Sequence, residues 1–389
     1  MRQLEALRSA GRGIDAPRRI EALAAAFELW RAPGSAWPER LAARGGLFSP
    51  AVIERGIRLG LERWTAAALA ELRARELEHA GQVPGVTAVW LAGPVPGAAF
   101  AAIALPLLAG SSVYVKASRS DPGAAALFAE SLAEADPGLA DCVALGDDPG
   151  ALVHADAVVA SGSDASVRAV REQVPPATAF VAYAHKLSLA AIGPGADPGA
   201  AARRVALDVA LWDGRGCLSP AWVLVRDSGG AEAAAFAERL ASRLEELADA
   251  LPRGTLDAAE HLRLREWRAV AAARGDAVLH PGDRSPEWGV SLTPAGELPP
   301  AGALRFARVV PFEGREDLVA LCRKLSPHLS SIGYAGWPDS LDEPRAALEA
   351  GGGSRLCPAG RMQAPPLAWR HDGMQPIRPL LRWVDVEEE

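Results

Sequence analysis

Short apolar runs alternate with helical patterns through the middle of the chain, and this alternation limits the possible folds more than any other feature. The runs lie at residues 86–91, 113–116, 140–145, 157–160 and 179–183. Strands and helices that alternate at this spacing are typical of βαβ units. The sequence therefore predicts an α/β fold with a doubly wound parallel sheet. No Gly-x-Gly-x-x-Gly follows any run, so the standard dinucleotide fingerprint is absent.

A second α/β pattern follows residue 217. Strands are predicted at 221–225, 278–280, 288–292, 304–310 and 331–335, and helices at 231–250, 258–273 and 317–325. Residues 1–80 show helical periodicity with charged faces. The sequence therefore predicts a helical N-terminal segment followed by two α/β domains.

The composition argues against several classes of protein. The 389 residues carry a formal net charge of −7 without a basic block, which argues against nucleic acid as a partner. No apolar run reaches about 18 residues, so no membrane span is expected, and the N-terminus lacks an apolar signal region. Four widely spaced cysteines without a Cys-x-x-Cys pair predict reduced thiols in a cytoplasmic protein, with no metal site.

Cys217 lies on a glycine-flanked turn between a helical pattern at 200–212 and the predicted strand 221–225. Gly214 and Gly216 let backbone N–H groups approach whatever is bonded to the sulfur. A thiolate on such a turn is suited to nucleophilic catalysis. The alternative is a small buried apolar side chain, which is a common role of free cysteine.

Six stretches resemble the aldehyde dehydrogenase superfamily, and within it the LuxC-type fatty acyl-CoA reductases, in the same order over roughly residues 86–375. The cysteine turn and the last stretch are the most specific. The stretches are Leu91-Ala92-Gly93-Pro94-Val95-Pro96, Val115-Lys116-Ala117-Ser118, Ser161-Gly162-Ser163, Ala184-His185-Lys186-Leu187-Ser188, Trp212-Asp213-Gly214-Arg215-Gly216-Cys217-Leu218-Ser219-Pro220 and, within 361–373, Met362-Gln363 with Trp369-Arg370-His371-Asp372-Gly373.

The resemblance implies a two-step reduction of an acyl-CoA or acyl-carrier thioester to a fatty aldehyde. Cys217 would attack the thioester and carry the acyl group, and a hydride from a nicotinamide would then release the aldehyde. It also implies a division into a helical segment packing on the cofactor domain (1–80), an NAD(P)-binding domain (81–215), a catalytic domain (216–355) and a C-terminal loop and tail (356–389).

Two histidines are candidates for proton transfer. His185 occupies the stretch where many aldehyde dehydrogenases carry the glutamate that activates water, and an imidazole there can exchange protons with thiol and alkoxide. His371 is the second candidate, with Trp369 and Asp372 able to orient it. The alternative for each is a structural histidine. Pro94 departs from the family, because it replaces the asparagine that completes the oxyanion site and has no donor.

Candidate cofactor residues lie at the predicted strand ends, where open parallel sheets bind ligands. Lys116 and Ser118 resemble the stretch that contacts the adenosine ribose, and Arg119 could meet a 2′-phosphate, which favours NADPH over NADH. Three residues before a helix could receive phosphate through backbone N–H groups, and Phe312 resembles a position near the cofactor. These three are Ser161, Gly162 and Ser163. A solvated arginine and a core phenylalanine are the alternatives for Arg119 and Phe312.

Three functions remain open. The leading one is an NADPH-dependent acyl-thioester reductase. An NAD-dependent aldehyde dehydrogenase is disfavoured by the missing glutamate, and a non-reducing acyl-transfer or structural partner is favoured only by Pro94. The resemblance also implies a homo-oligomer and a partner protein that activates or transfers the acyl group. The acyl chain and its carrier stay open.

Overall fold

The computed structural model describes residues 2–77, 82–121, 123–227, 229, 231–280, 287–301, 304–384 and 387. Contacts divide the chain into two units. The first unit comprises residues 1–46, 57–185 and 366–389, and the second comprises 47–56 and 186–365. These units do not coincide with the four segments expected from the sequence, because residues 186–215 group with the second unit and 366–389 with the first. The four-segment division stays a prediction.

Five helices open the chain: α1 (Arg2–Ala10), α2 (Ala16–Arg31), α3 (Ala36–Ala43), α4 (Pro50–Leu61) and α5 (Ala66–Leu77). The Asp15 side chain caps α2 by accepting a hydrogen bond from the backbone of Arg18. The Arg18 guanidinium pairs with Asp136 at 2.6 Å, and the Trp30 indole donates to Ser131 at 2.9 Å. These bonds join α2 to later helices of the first unit.

The first unit contains a five-stranded parallel sheet. Its elements are β1 (Val86–Trp90), α6 (Pro96–Ala109), β2 (Ser112–Lys116), α7 (Ala124–Ala135), α8 (Pro137–Ala140), β3 (Val143–Leu145), α9 (Gly150–His154), β4 (Ala157–Ser161), α10 (Asp164–Arg171) and β5 (Ala179–Tyr183). The strand order is β3-β2-β1-β4-β5, and every pair is parallel. This confirms the doubly wound sheet, whose order reverses between β1 and β4, the position where such sheets bind ligands.

The prediction of a strand at 140–145 is wrong for residues 140–142. Residues Pro137–Ala140 form α8 instead, capped by Asp136, and β3 covers only Val143–Leu145. A proline at the first helical turn and an aspartate before it are strong helix-start signals, and they override the apolar run that follows.

The second unit contains a seven-stranded sheet. Its elements are β6 (Leu187–Ile192), α11 (Pro198–Ala210), β7 (Pro220–Arg226), α12 (Glu232–Ala250), α13 (Ala258–Ala273), β8 (Ala277–Leu279), β9 (Gly289–Leu292), β10 (Phe306–Phe312), α14 (Arg315–Arg323), β11 (Leu329–Ala335), α15 (Asp342–Ala350) and β12 (Arg355–Pro358). The order is β12-β11-β6-β7-β10-β9-β8, and only the β8–β9 pair is antiparallel among these strands. The α/β fold, with a doubly wound parallel sheet followed by a second α/β unit, is as predicted.

Two strands of this sheet were not predicted. β6 lies between β11 and β7, and β12 is an edge strand beside β11. β6 contains serine and two alanines, which have low strand propensity, and it is buried on both faces. Apolar clusters cover both faces of the sheet, so burial and pairing with the neighbouring strands outweigh the low strand propensity of β6.

The C-terminal chain packs within the first unit. Short 3₁₀ helices form at His371–Gly373 and Arg378–Leu380, and Arg382 makes an antiparallel bridge with Gln82. The buried carboxylate of Glu76 accepts backbone hydrogen bonds from Ile377 and Arg378, at 2.8 and 3.2 Å. In the described parts of the chain, no helix has the length and apolar content that crossing a membrane requires.

Candidate active site

Cys217 is exposed, whereas Cys142, Cys322 and Cys357 are buried. Burial raises the pKa of Cys322 to about 12 and that of Cys357 to about 11, and it also raises the pKa of Cys142. A thiol that stays protonated and lacks access is chemically inert. The alternative that Cys217 is a small core side chain therefore does not hold in this structure.

A left-handed turn leads into the cysteine loop. Trp212, Asp213 and Gly214 have φ angles of 56°, 51° and 66°, a region that residues with a side chain rarely adopt. The buried Asp213 carboxylate accepts bonds from the Arg305 guanidinium at 2.7 Å and from the Gly254 backbone at 3.1 Å. A buried ion pair thus holds a backbone conformation that costs on the order of 1 kcal/mol or more per residue.

The Trp212 ring is also fixed by packing. It lies edge-on to Phe48, with ring centroids 5.2 Å apart. A Cβ atom added at Gly56 would come within 2.3 Å of the indole, so the glycine makes room for it. All three residues belong to the second unit, and Trp212 is 3% exposed.

Hydrogen bonds hold the backbone on both sides of the sulfur. The buried Ser188 hydroxyl donates to the Cys217 carbonyl at 2.6 Å. The Ser219 backbone donates to the Gly216 carbonyl at 3.0 Å, and the Ser219 hydroxyl accepts from the Gln363 side chain at 3.0 Å. The loop is therefore fixed in place while its side chain at Cys217 faces solvent.

Two buried charged residues hold the segment that carries Gln363. The Asp208 carboxylate accepts from the backbone of Gly360 at 2.5 Å and Met362 at 3.0 Å. Arg355 donates to the carbonyls of Met362 and Arg361, at 2.7 and 2.8 Å. Burial raises the pKa of Asp208 to about 7.

The Arg355 guanidinium also acts on the cysteine electrostatically. Burial lowers the pKa of Arg355, and attraction to Cys357, Asp208 and Cys217 opposes that effect. Sequence analysis did not identify Arg355, because it follows a run of glycines and belongs to no recognisable motif.

A shallow hollow opens at the carboxyl end of β1 and β2 in the first unit. A Cβ atom added at Gly93 or Gly97 would meet no atom within 4 Å. The residues around the hollow are mostly small: Leu91, Ala92, Gly93, Pro94, Val95, Ala98, Ala99, Ser118, Asp121 and Ala124. Such a lining fits the phosphate and ribose groups of a dinucleotide, which need close backbone approach.

The expected cofactor residues lie at and just after the end of β2, and one of them lines this hollow. Lys116 is the last residue of β2, Ser118 lines the hollow, and Arg119 is exposed. Asp121 caps α7, accepting backbone bonds from Gly123, Ala124 and Ala125 at 2.5 to 3.2 Å. An aspartate followed by a proline predicts a capped helix start, and the structure confirms the cap at Asp121; Pro122 itself lies outside the described residues.

Both serines of the Ser161-Gly162-Ser163 stretch make hydrogen bonds that hold the local structure. The Ser161 hydroxyl accepts from the Ala92 backbone at 3.0 Å, which ties β4 to the loop after β1. Gly162 has a φ angle of 148°. Ser163 caps α10, and Asp164 begins that helix and accepts from the His185 backbone at 3.0 Å. The carboxylate of Asp164 adds negative charge at the place predicted to receive phosphate.

His371 is held in an aromatic stack. Its ring lies between Tyr183 and Trp369, with centroids 4.2 and 4.3 Å away. Its Nε2 atom is 3.9 Å from Asp372, which is an ion-pair distance when the ring is protonated. The predicted orienting residues are thus in contact with His371. Tyr183 was missed; burial, Asp372 and Glu76 together raise its pKa to about 12.

The structure distributes the predicted residues over both units. Lys116, Ser118, Arg119, the 161–163 stretch, His185 and His371 belong to the first unit, and Cys217 and Phe312 to the second. Phe312 was expected just after a strand, but it is the last residue of β10 and is fully buried in the apolar core. That placement agrees with the alternative that Phe312 is a core residue, and its role near a cofactor stays a prediction.

Comparison with known proteins gives the family. Residues 47–383 match the acyl-CoA reductase (LuxC) family. The chain is 26% identical over 319 residues to the long-chain acyl-protein thioester reductase of Aliivibrio fischeri, covering 79% of this chain and 64% of that protein. It is 25% identical over 235 residues to the long-chain acyl-protein thioester reductase 2 of Photobacterium leiognathi, covering 60% and 47%. The chain thus spans about half to two thirds of the length of these relatives.

Solved structures with the same fold are aldehyde dehydrogenase-like. The NAD-dependent aldehyde dehydrogenase from Sinorhizobium meliloti has a TM-score of 0.71 at 18% identity, covering 92% of this chain and 78% of that chain. An Escherichia coli NADP dependent enzyme has a TM-score of 0.73 at 16% identity, covering 92% and 81%. The chain therefore belongs to the acyl-CoA reductase (LuxC) family and has the aldehyde dehydrogenase fold that its motifs predicted.

Proposed function

We propose that this protein reduces an acyl thioester, carried by coenzyme A or by an acyl-carrier protein, to the aldehyde through an acyl group on Cys217. The observation that carries the proposal is an exposed thiol on a loop whose backbone is fixed by buried partners, while the other three cysteines are buried. Family membership and the printed activity of the relatives support the same reaction.

In the first step, the Cys217 thiolate attacks the thioester carbonyl. A new C–S bond forms to the enzyme, the old C–S bond breaks, and the departing thiolate takes a proton. The two thioesters are similar in energy, so the exchange is reversible. When bound, a nicotinamide cofactor would supply the hydride that reduces the acyl carbon. The C–S bond then breaks, Cys217 departs as a thiolate, and the substrate oxygen forms the C=O bond of the aldehyde.

The residues assigned to proton transfer are His185 and His371. His371 is the better oriented of the two, because two aromatic rings fix its plane and Asp372 stabilises its protonated form. Pro94 supplies no hydrogen bond to the developing oxyanion. The backbone N–H of Cys217 is assigned as the oxyanion donor.

Lys116, Ser118 and Arg119 are the residues assigned to the cofactor, at the edge of the sheet where parallel strands end. The small lining of the hollow supports this assignment. Arg119 favours NADPH, since a guanidinium can bind a 2′-phosphate with two hydrogen bonds. NADH stays the alternative. A homo-oligomer, an acyl-supplying partner protein and a cytoplasmic location also stay predictions.

The test follows cofactor oxidation at 340 nm with NADPH or NADH and acyl-CoAs of graded chain length. We expect Cys217→Ala to lower turnover by roughly a thousandfold or more, because it removes the acyl-carrying atom. Cys322→Ala removes a buried thiol of the same unit and serves as the matched control. His371→Phe, which keeps the stack, and His185→Ala are measured in the same assay.

Each other outcome favours a different function. Thioester-dependent oxidation that survives in Cys217→Ala contradicts the proposed mechanism. An acyl group trapped on Cys217 without oxidation of either cofactor indicates an acyl transferase, and cofactor reduction with aldehyde alone indicates an oxidative aldehyde dehydrogenase. Absence of acylation and of oxidation favours the structural role to which Pro94 points.

A further inference from the structure

Gln363 connects the chain segments on both sides of Cys217. Its side-chain nitrogen donates to the hydroxyl of Ser219, two residues after the cysteine, at 3.0 Å. The same nitrogen donates to the backbone carbonyl of Asp208, in the helix before the cysteine loop, at 3.3 Å. Gln363 is 6% exposed, so both bonds are made away from solvent, where breaking one leaves a buried polar group unpaired.

The segment that carries Gln363 is itself immobilised. Its backbone N–H groups at Gly360 and Met362 donate to the buried Asp208 carboxylate. Its carbonyls at Arg361 and Met362 accept from the buried Arg355 guanidinium. Two buried partners thus hold the backbone directly before Gln363, so its side chain is a fixed reference point for the loop it contacts.

Two side chains bond to the loop at and just after the cysteine, whose own side chain is exposed. The Ser188 bond fixes the carbonyl of Cys217, and the Gln363 bond fixes Ser219. The Asp213 ion pair holds the turn before the cysteine. The Gln363 bond is therefore the side-chain contact that fixes the chain on the far side of the sulfur.

We infer that Gln363 is a positioning residue for the acyl-thioester chemistry, holding Cys217 in its attacking position through the hydroxyl of Ser219. The inference rests on the proposed role of Cys217 as the acyl-carrying nucleophile. Gln363 touches neither substrate nor cofactor in this scheme. Its removal should therefore lower the rate of the chemical step and leave substrate and cofactor binding unchanged.

Gln363→Met keeps the volume and removes both hydrogen bonds. We expect kcat to fall roughly 10- to 100-fold, since small misplacements of reacting groups cost that much, with KM for thioester and cofactor changed by less than about twofold. Amide hydrogen exchange in a peptide covering 214–222 should become roughly tenfold faster, while α12 exchanges as before. Gln173→Met is the matched control, because it removes a side-chain bond to the Ala169 carbonyl at the surface.

Ser219→Ala cuts the same bond from the other side and serves if Gln363→Met does not fold. The double variant should lose no more activity than Gln363→Met alone, because the two side chains act through one contact. Unchanged exchange of the turn in Gln363→Met, or losses that add in the double variant, would overturn the inference. Retained activity in Cys217→Ala would instead reject the proposed function, while hydrogen exchange still decides whether Gln363 orders the turn.

Discussion

The cysteine turn and the strand ends of the first sheet are built in opposite ways. Around Cys217, buried side chains such as Asp213, Ser188 and Gln363 fix the backbone and leave one reactive atom exposed. At the strand ends near Lys116, side chains are exposed or half-buried around a hollow of small residues. Under the proposed function, this difference means that the protein fixes the nucleophile in advance and leaves the surface for the large cofactor open for the ligand to occupy.

Helix capping shows the same contrast within the first sheet. Asp121 caps α7 and Ser163 caps α10, but in the described chain no side chain caps α6. The first N–H groups of α6 lie beside Pro94 and Val95, which line the hollow. Helix N-termini carry partial positive charge, so this end suits an anionic group better than the two capped ones.

The largest expected effect comes from breaking the left-handed turn. Arg305→Met leaves the Asp213 carboxylate buried without its cation, which should lower the free energy of unfolding by about 3–5 kcal/mol. Chemical denaturation measures this loss. Arg345→Met removes an exposed pair with Glu349 in the same unit and should have a much smaller effect, because solvent screens exposed charges. Equal losses in the two variants would show that the buried Arg305–Asp213 pair does not hold the turn.

The second expected effect concerns the pH dependence of stability. The pKa of Asp208 is about 7 in the folded chain and near 3.8 when unfolded, so the folded state binds more protons between these values. Its contribution therefore falls as pH rises from about 4 to 7, by up to roughly 4 kcal/mol, and is constant above. Arg355 and Cys357 are the charged or titratable groups that interact with it.

Asp208→Asn should lack this slope, so the difference in the free energy of unfolding between variant and wild type should change with pH when both are denatured from pH 5 to 8. The variant also loses one acceptor for the backbone of Gly360 or Met362, so we expect lower stability at pH 5. An identical pH dependence of stability in the two proteins would show that a group other than Asp208 binds the proton.

The smallest expected effect is at the open strand ends. Lys116→Met should raise KM for the cofactor roughly 10- to 100-fold, the range of a lost charge-assisted hydrogen bond, and leave the melting temperature unchanged. Lys324→Met, which removes a surface ammonium bound to the Gly296 carbonyl, is the control. An unchanged KM in Lys116→Met would remove β2 from the cofactor site, and a lower melting temperature would show that the strand end is braced like the cysteine turn.

Short-range patterns along the chain were enough to predict several parts of the fold. The alternation of strands and helices predicted the doubly wound sheet, Asp121 predicted a helix cap, and the glycines around Cys217 predicted its turn. Each of these depends on residues within a few positions of one another. The motifs also identified the family, since they keep their order along the chain.

Only the tertiary structure decided which residues support the cysteine. Arg305 reaches Asp213 across 92 positions, and Asp208 binds the backbone of Gly360 across 152. β6 became a strand because β7 and β11 pair with it, and not because of its own propensity. Such contacts have no local pattern, because their energy comes from burial and hydrogen bonding between segments that only the fold brings together.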